Sequence, residues 1–372
     1  MKWKEVLEIK SGKNQKDVAD INGCYPIYGS GGIIGYSKEY LCPAGTTIIG
    51  RKGTINSPLY VNEPFWNVDT AFGLIPSQQL VSKYLYYFCC YFNFKALDKS
   101  TTIPSLAKRD LENVEMPVPP LDEQTCIVAR IEELFSELDK AVDTLKTTKE
   151  QLEVYRQAVL KDAFQEKESI IRLGDAIEKP RYGTSKKCDY SCTANSTAVL
   201  RIPNIDTKNG RVDSSDLKYA EFNEKELEQL SLKNGDILII RSNGSISLVG
   251  SSAIIRKCDT DKTYAGYLMR LRILNKEKLL PQYLLYYLSS PDARRYIENV
   301  AKSTSGVNNI NSQEISKLCV PLSSIEKQKK TVTEIEMKLS VYHEIEKSVD
   351  TVLVQADAMR QSILKQAFEG AL

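Results

Sequence analysis

Arg156-Gln-Ala-Val-Leu-Lys-Asp-Ala-Phe164 and Arg360-Gln-Ser-Ile-Leu-Lys-Gln-Ala-Phe368 are one phrase written twice. A second pair keeps the same register: Val118-Pro-Pro-Leu-Asp-Glu-Gln124 aligns with Leu322-Ser-Ser-Ile-Glu-Lys-Gln328 (360 − 156 = 328 − 124 = 204). A constant offset over that distance means an internal repeat with no gap. Upstream the match loosens. Lys99-Ser-Thr101 resembles Lys302-Ser-Thr304, Leu85-Tyr-Tyr-Phe88 resembles Leu285-Tyr-Tyr-Leu288, and Gly45-Thr-Thr-Ile-Ile-Gly-Arg51 resembles Gly235-Asp-Ile-Leu-Ile-Ile-Arg241. The shrinking offsets place insertions in the second copy.

Each copy ends in a stretch without proline or glycine, 122–166 and 323–369. In the first, apolar or small residues fall at 127, 131, 134, 138, 141, 145, 148, 152, 155 and 159, with Thr148 the one clearly polar member. Adding 204 gives 331, 335, 338, 342, 345, 349, 352, 356, 359 and 363, with Thr331 and Lys338 imperfect and Leu339 beside the second of them. Alternating steps of four and three are a heptad seam. A helix of about 44 residues runs about 65 Å, too long a stripe for one globular domain to cover, so the expected partner is the other copy. The segments before the helices read as mixed α/β. Short β-rich runs at 46–50 and 236–240 alternate with Gly, Asn, Ser and Pro turns, and aromatic-rich helices are expected over Tyr84–Phe94 and Tyr283–Ser289. The expected fold is α+β: two globular mixed α/β domains, each followed by a long helix, the helices pairing as an antiparallel coiled coil about a pseudo-twofold. The division is 1–121, 122–168, 169–322 and 323–372.

The chain has 372 residues, 42% hydrophobic and 26% charged, with net charge +2. That average conceals a segregation: the four segments carry +2, −5, +6 and −1. Positive charge lies in the globular segments, a weak pointer to phosphate. No apolar run reaches the ~18–20 residues of a membrane span, and no signal core follows Met1-Lys-Trp-Lys-Glu5. The expectation is a cytoplasmic protein with no membrane partner and its nine cysteines reduced. Cys188 and Cys192 lack a second pair, so no metal is expected.

Catalytic signatures are missing. His343 is the only histidine, expected on the coil surface, which disfavours Ser-His-Asp or Cys-His chemistry. Gly45–Gly50 is followed by Arg51-Lys52 where a phosphate loop needs a lysine and then a hydroxyl residue. No Asn-Pro-Pro-aromatic motif of the adenine methyltransferases occurs. The residue types present suit reading DNA instead. Arginine can bond guanine O6 and N7 together, and asparagine can bond adenine likewise. Candidates in the first domain are Tyr28, Ser30 and Tyr36 of a Gly-rich run, with Arg51, Lys52 and Thr54 after a strand. Candidates in the second are Arg201, Asn204, Arg241, Ser242, Asn243 and Ser245. Lys99 and Thr101, and their counterparts Lys302 and Thr304, are candidate phosphate holders. Taken singly, a Gly-rich turn is usually only a turn; the recurrence of strand, arginine and turn singles out Arg51 and Arg241.

Several runs carry a family resemblance: Trp3-Lys-Glu-Val-Leu7, Tyr25-Pro-Ile-Tyr-Gly-Ser-Gly-Gly-Ile-Ile-Gly35, Ile49-Gly-Arg-Lys-Gly-Thr54, Ile103-Pro-Ser-Leu106, Pro117-Val-Pro-Pro-Leu-Asp-Glu-Gln124 and Ile171-Arg-Leu-Gly-Asp175. In this order they resemble the specificity subunit of a type I restriction-modification system, over essentially the whole chain. Leu322–Gln328 departs from the pattern, lacking the Pro-Pro and the Glu before Gln. The resemblance implies a non-catalytic subunit whose two domains each read half of a split double-stranded DNA target. The coil would space the halves and dock methyltransferase subunits that methylate adenine. Restriction/translocase subunits would join them. S-adenosylmethionine, ATP and Mg would belong to those partners, and no cofactor to this chain. A coiled-coil scaffold that never reads DNA and a stand-alone enzyme on DNA remain the alternatives at this point.

Overall fold

The computed structural model describes residues 1–301 and 306–371. It divides into two compact units, Met1–Thr147 with Val349–Leu372, and Thr148–Ser348. The division cuts both long helices, a central one at Leu121–Ala163 and a C-terminal one at Ile325–Phe368.

Unit one is built on an antiparallel sheet in the order Leu7–Ser11, Ala71–Pro76, Thr46–Gly50, Leu59–Val61. Every residue of Thr46–Gly50 is buried, the mark of a strand covered on both faces. A smaller sheet joins Tyr25–Gly29 to Gly32–Ser37 in a hairpin and, in parallel, to Trp66–Asn67. The helix Ser82–Tyr91 buries Tyr84, Leu85, Phe88 and Cys89. Trp3, fully buried, packs near Phe88, Phe92 and Phe94.

Unit two repeats this frame. Ile237–Ile240 pairs with Leu268–Leu271 as Thr46–Gly50 pairs with Ala71–Pro76. Val199 and Leu200 run parallel to Thr263 and Tyr264 as Ile27 and Tyr28 do to Trp66 and Asn67. The additions in the second copy are the pair Ile205–Asp206/Arg211–Val212 and then the helix Glu224–Leu230, all between Leu200 and Ile237, and the helix Pro291–Val300 after Pro281–Leu288.

The helix entries are built alike despite their different sequences. Gln124 and Gln328 are both fully buried. The Gln124 Oε1 accepts from the Val81 amide (2.8 Å), and its Nε2 donates to the carbonyls of Gln79 (2.9 Å) and Pro119 (2.8 Å). The Gln328 Oε1 accepts from the Leu280 amide (2.9 Å), and its Nε2 donates to the carbonyls of Lys278 (2.8 Å) and Ser323 (2.9 Å). One amide therefore satisfies three main-chain groups that burial would otherwise orphan. The lost Pro-Pro and Glu leave this clamp intact.

The helix exits are exchanged. Phe368, from the second copy, packs on Tyr84 (ring centroids 5.1 Å), Phe88 (5.3 Å) and Tyr91 (5.6 Å) of the first domain. Phe164, from the first copy, packs on Tyr283 (5.0 Å) and Tyr287 (5.2 Å) of the second. Each domain thus holds the entry of its own helix and the exit of the other. The equivalence of Tyr84 with Tyr283 and Phe88 with Tyr287 moves the expected alignment of Leu85 with Leu285 by one residue. In unit two Glu153 accepts a hydrogen bond from Tyr342 (2.6 Å) and Glu166 pairs with Lys327 (3.2 Å). As one number rises the other falls, so the segments run antiparallel. In unit one Arg360 pairs with Asp139 and lies 5.0 Å over the Phe135 ring.

The seam is broader than the expected one and shifted in part. On the central helix 131, 138, 145, 152 and 159, together with half-buried 127, 134 and 148, are covered as expected, joined by 128, 135, 142, 149 and 156, while 141 and 155 are exposed. On the C-terminal helix the covered set includes Ile335, Leu339, Tyr342, Glu346, Val349 and Ala356, while Ile345, Val352 and Met359 are exposed. Ile127–Val128, Leu134–Phe135 and Ala141–Val142 are adjacent apolar pairs, so apolarity alone did not choose between them. Arg156 and Arg360 enter the seam because their aliphatic stems cover apolar surface while the guanidinium finds polar partners. His343 is half-buried rather than on the coil surface, with Nε2 buried and unpartnered. No helix among the described residues is long and apolar enough to cross a membrane.

Candidate nucleic-acid interface

The strands Thr46–Gly50 and Ile237–Ile240 each deliver an arginine to the edge of their domain, and the two arginines are held alike. The Arg51 amide donates to the Thr70 carbonyl (2.8 Å), its carbonyl accepts from the Leu106 amide (2.9 Å), and Nη1 donates to the Asp69 carbonyl (3.4 Å). The Arg241 amide donates to the Tyr267 carbonyl (2.9 Å), its carbonyl accepts from the Ile310 amide (2.8 Å), and Nη1 donates to the Gly266 carbonyl (3.1 Å). Each guanidinium lies by an aromatic ring, 5.7 Å from Phe72 and 4.4 Å from Tyr182, geometry that orients a cation without neutralising it. Nε of Arg241 is buried without a partner.

Around Arg51 the chain folds back sharply. A Cβ on Gly50 would stand 2.0 Å from the Thr54 carbonyl oxygen, and Gly53 has φ +81°, so glycine is required at both. The Gly53 amide donates to Pro104 (2.9 Å), and Lys52 pairs with Ser105. Lys52 and Thr54 are left exposed. The loop beyond is organised by Asp98, whose Oδ1 accepts from the Ser100 hydroxyl (2.6 Å), the Ser100 amide (3.0 Å) and the Ser105 amide (3.1 Å). The Ser100 hydroxyl, then the two amides, hold its carboxyl below the ordinary value. Lys99 is paired with Asp110 (2.9 Å), and Thr101 is exposed.

The other candidates are placed unequally. Tyr36 is exposed on the Gly32–Ser37 strand, and Ser30 sits half-buried at the hairpin turn. Tyr28 is half-buried against Phe65 (5.4 Å), and burial raises its hydroxyl pKa. In the second domain Arg201 and Asn204 turn inward. Nη2 of Arg201 donates to the Asp216 carboxylate and carbonyl (2.9 Å each), and Asn204, 1% exposed, donates to the carbonyls of Asp213 (2.9 Å) and Asp216 (2.8 Å). Ser242 and Asn243 form a short strand with Asn309 and Asn308. Asn243 Oδ1 accepts from the Ser245 amide (2.8 Å), and Ser245 is exposed. Lys302 and Thr304 lie outside the described residues.

Four residues beside Arg241 were not among the candidates: Tyr182, Tyr267, Asn308 and Asn309. The asparagines carried a signal. Val307–Ile310 stands 204 residues after Ile103–Leu106, and Ile310 and Leu106 make the same bond to their arginines. Tyr182 and Tyr267 carried none, because the offsets there differ from those of the strands preceding them. Among the described residues no group of three or more His, Cys, Asp or Glu could hold a metal. The arrangement offers oriented cations, amides and exposed aromatics.

Comparison with known proteins shows the family. A family model, the type I restriction modification DNA specificity domain, matches residues 1–154 and 166–347. The specificity subunit of the type I restriction enzyme EcoKI from Escherichia coli (strain K12) is 28% identical over 347 residues, 87% of this chain and 73% of that protein. The StySPI specificity subunit from Salmonella potsdam is 27% identical over 290 residues; the match takes in 74% of this chain and 62%, less than two thirds, of that protein. A solved structure described under complex assembly and conformational transition of the type I R-M system has a TM-score of 0.78 at 17% identity. It covers 100% of this chain and 97% of that one, a likeness of fold. With both halves of the repeat matched by the family model, the chain belongs to the type I restriction-modification DNA specificity domain family.

Proposed function

We propose that the chain is the sequence-reading, non-catalytic subunit of a type I restriction-modification complex in the cytoplasm. Each domain reads one half of a bipartite double-stranded DNA target. The observation that carries this reading is the pair of matched arginine mounts, Arg51 on Thr70, Asp69 and Leu106, and Arg241 on Gly266, Tyr267 and Ile310. A guanidinium held at a strand end beside amide-bearing loops suits bidentate contact with guanine. Exposed Lys52, Thr54 and Ser245 surround the mounts, and Lys52 suits the phosphate contacts that set register. Methyltransferase subunits would dock on the long helices and methylate adenine with S-adenosylmethionine. Restriction/translocase subunits would supply ATP- and Mg-dependent cleavage.

In this reading the helix pair sets the distance between half-sites. Inserting seven residues into both helices, at Thr148 and at Val352, preserves the seam and lengthens each helix by about 10 Å. At ~3.4 Å per base pair, the unspecified spacer between methylated half-sites then grows by about three base pairs. Methylation sites that keep the original spacer at full affinity would show that the helices do not set it.

A further inference from the structure

The mounts of the two arginines are made of main-chain carbonyls: Asp69 and Thr70 in the first domain, Gly266 and Tyr267 in the second. A carbonyl is common to every residue, so the side chains there can change without moving the arginine. They do differ: Asp-Thr in one copy, Gly-Tyr in the other. The next residues, Ala71 and Leu268, are fully buried in the sheet. Thr70 and Tyr267 stand in the turns that lead into these strands; Thr70 is half-buried, and Tyr267 is 62% exposed. Gly266 is itself constrained, its amide donating to Thr184 (2.7 Å) and a Cβ there meeting the Thr184 oxygen at 3.2 Å. Tyr267 is therefore the exposed side chain of the second mount that differs between the copies, carried on a main chain fixed by the Arg241 amide. Tyr182, 39% exposed and with its ring on Arg241, has its hydroxyl fixed by the Ser312 amide (2.9 Å).

We infer that Tyr267 is a specificity-determining residue, contacting base edges beside Arg241 in the half-site that the second domain reads. The inference rests on the functional reading above. A tyrosine ring offers apolar contact to a thymine methyl, and its hydroxyl can donate to or accept from a base edge. Thr70 and Asp69 offer a smaller methyl and a carboxylate acceptor suited to the cytosine amino group, so the two mounts would favour different bases.

The test uses the full chain assembled with its methyltransferase partner and a DNA library randomised in each half-site. Tyr267→Ala is expected to change preference at one or two adjacent base pairs of one half by about 5- to 150-fold, leaving the other half and the salt dependence unaltered. Tyr267→Thr, carrying the side chain of the first mount, is expected to shift the preferred base at those positions. An unchanged profile in both halves, with a bipartite target still read, would overturn the inference and spare the functional reading. Uniform weakening on all sequences would overturn it too, as the mark of a backbone contact. A wild-type complex without any two-part preference would sink both.

Discussion

Phe368 lies 277 residues along the chain from Tyr91 (368 − 91), yet it completes the first domain's core. It is 8% exposed and meets three aromatic rings at 5.1–5.6 Å. Truncating a buried phenylalanine costs about 3–5 kcal/mol. A helix end can relax into part of the gap, so Phe368→Ala should lie near the bottom of that range, about 3 kcal/mol. For a unit of this size that is a fall in melting temperature of about 6–12 °C. Location discriminates more sharply than size. Amide hydrogen exchange should accelerate in the C-terminal helix beyond Val349 and also in Ser82–Tyr91, while Pro281–Leu288 keeps its protection. Phe164→Ala should do the reverse. Loosening confined to the last turns of the C-terminal helix, with Ser82–Tyr91 unchanged, would refute the exchanged docking.

The glutamine clamps should be equivalent. Gln124→Ala and Gln328→Ala each strand main-chain groups in a buried place and should cost about 1–3 kcal/mol in denaturant titration; a neutral result at either would show that its clamp is not formed. The fragment 1–166 keeps Phe164 and an unoccupied first-domain exit site, so two copies should exchange helices. Sedimentation should show a homodimer which, with the methyltransferase, recognises a symmetric target. A fragment monomeric at high concentration, with its helix unfolded, would count against the pairing.

The repeat and both helices were legible because a gap-free duplication leaves a constant offset that needs no knowledge of contacts. The exchange of Phe164 and Phe368 was not legible: a closely similar phrase at both exits says that two equivalent sites exist, not which phrase fills which. The seam was legible in part. Ile131, Leu138 and Leu145 have no apolar neighbour competing on the C-terminal side, whereas exposed Ala141 yields to Val142, and Arg156 enters through its stem rather than its charge. At the candidate interface, Arg51 and Arg241 stood out by recurring after matched strands. Arg201 and Asn204 had the right chemistry, and only the fold shows Nη2 of Arg201 engaged by Asp216 and the Asn204 amide by Asp213 and Asp216. Tyr267 was invisible because its partner is a main-chain amide, which leaves no mark on side-chain pattern.

The most direct test of the two-domain reading is the methylome of cells expressing this chain with its methyltransferase, compared with Arg51→Ala and Arg241→Ala. The account predicts a bipartite methylated motif in which Arg51→Ala relaxes one half alone and Arg241→Ala the other alone, each by about 1–3 kcal/mol for a lost bidentate contact. Motifs left intact by both substitutions, or weakened equally on every sequence by either, would contradict it.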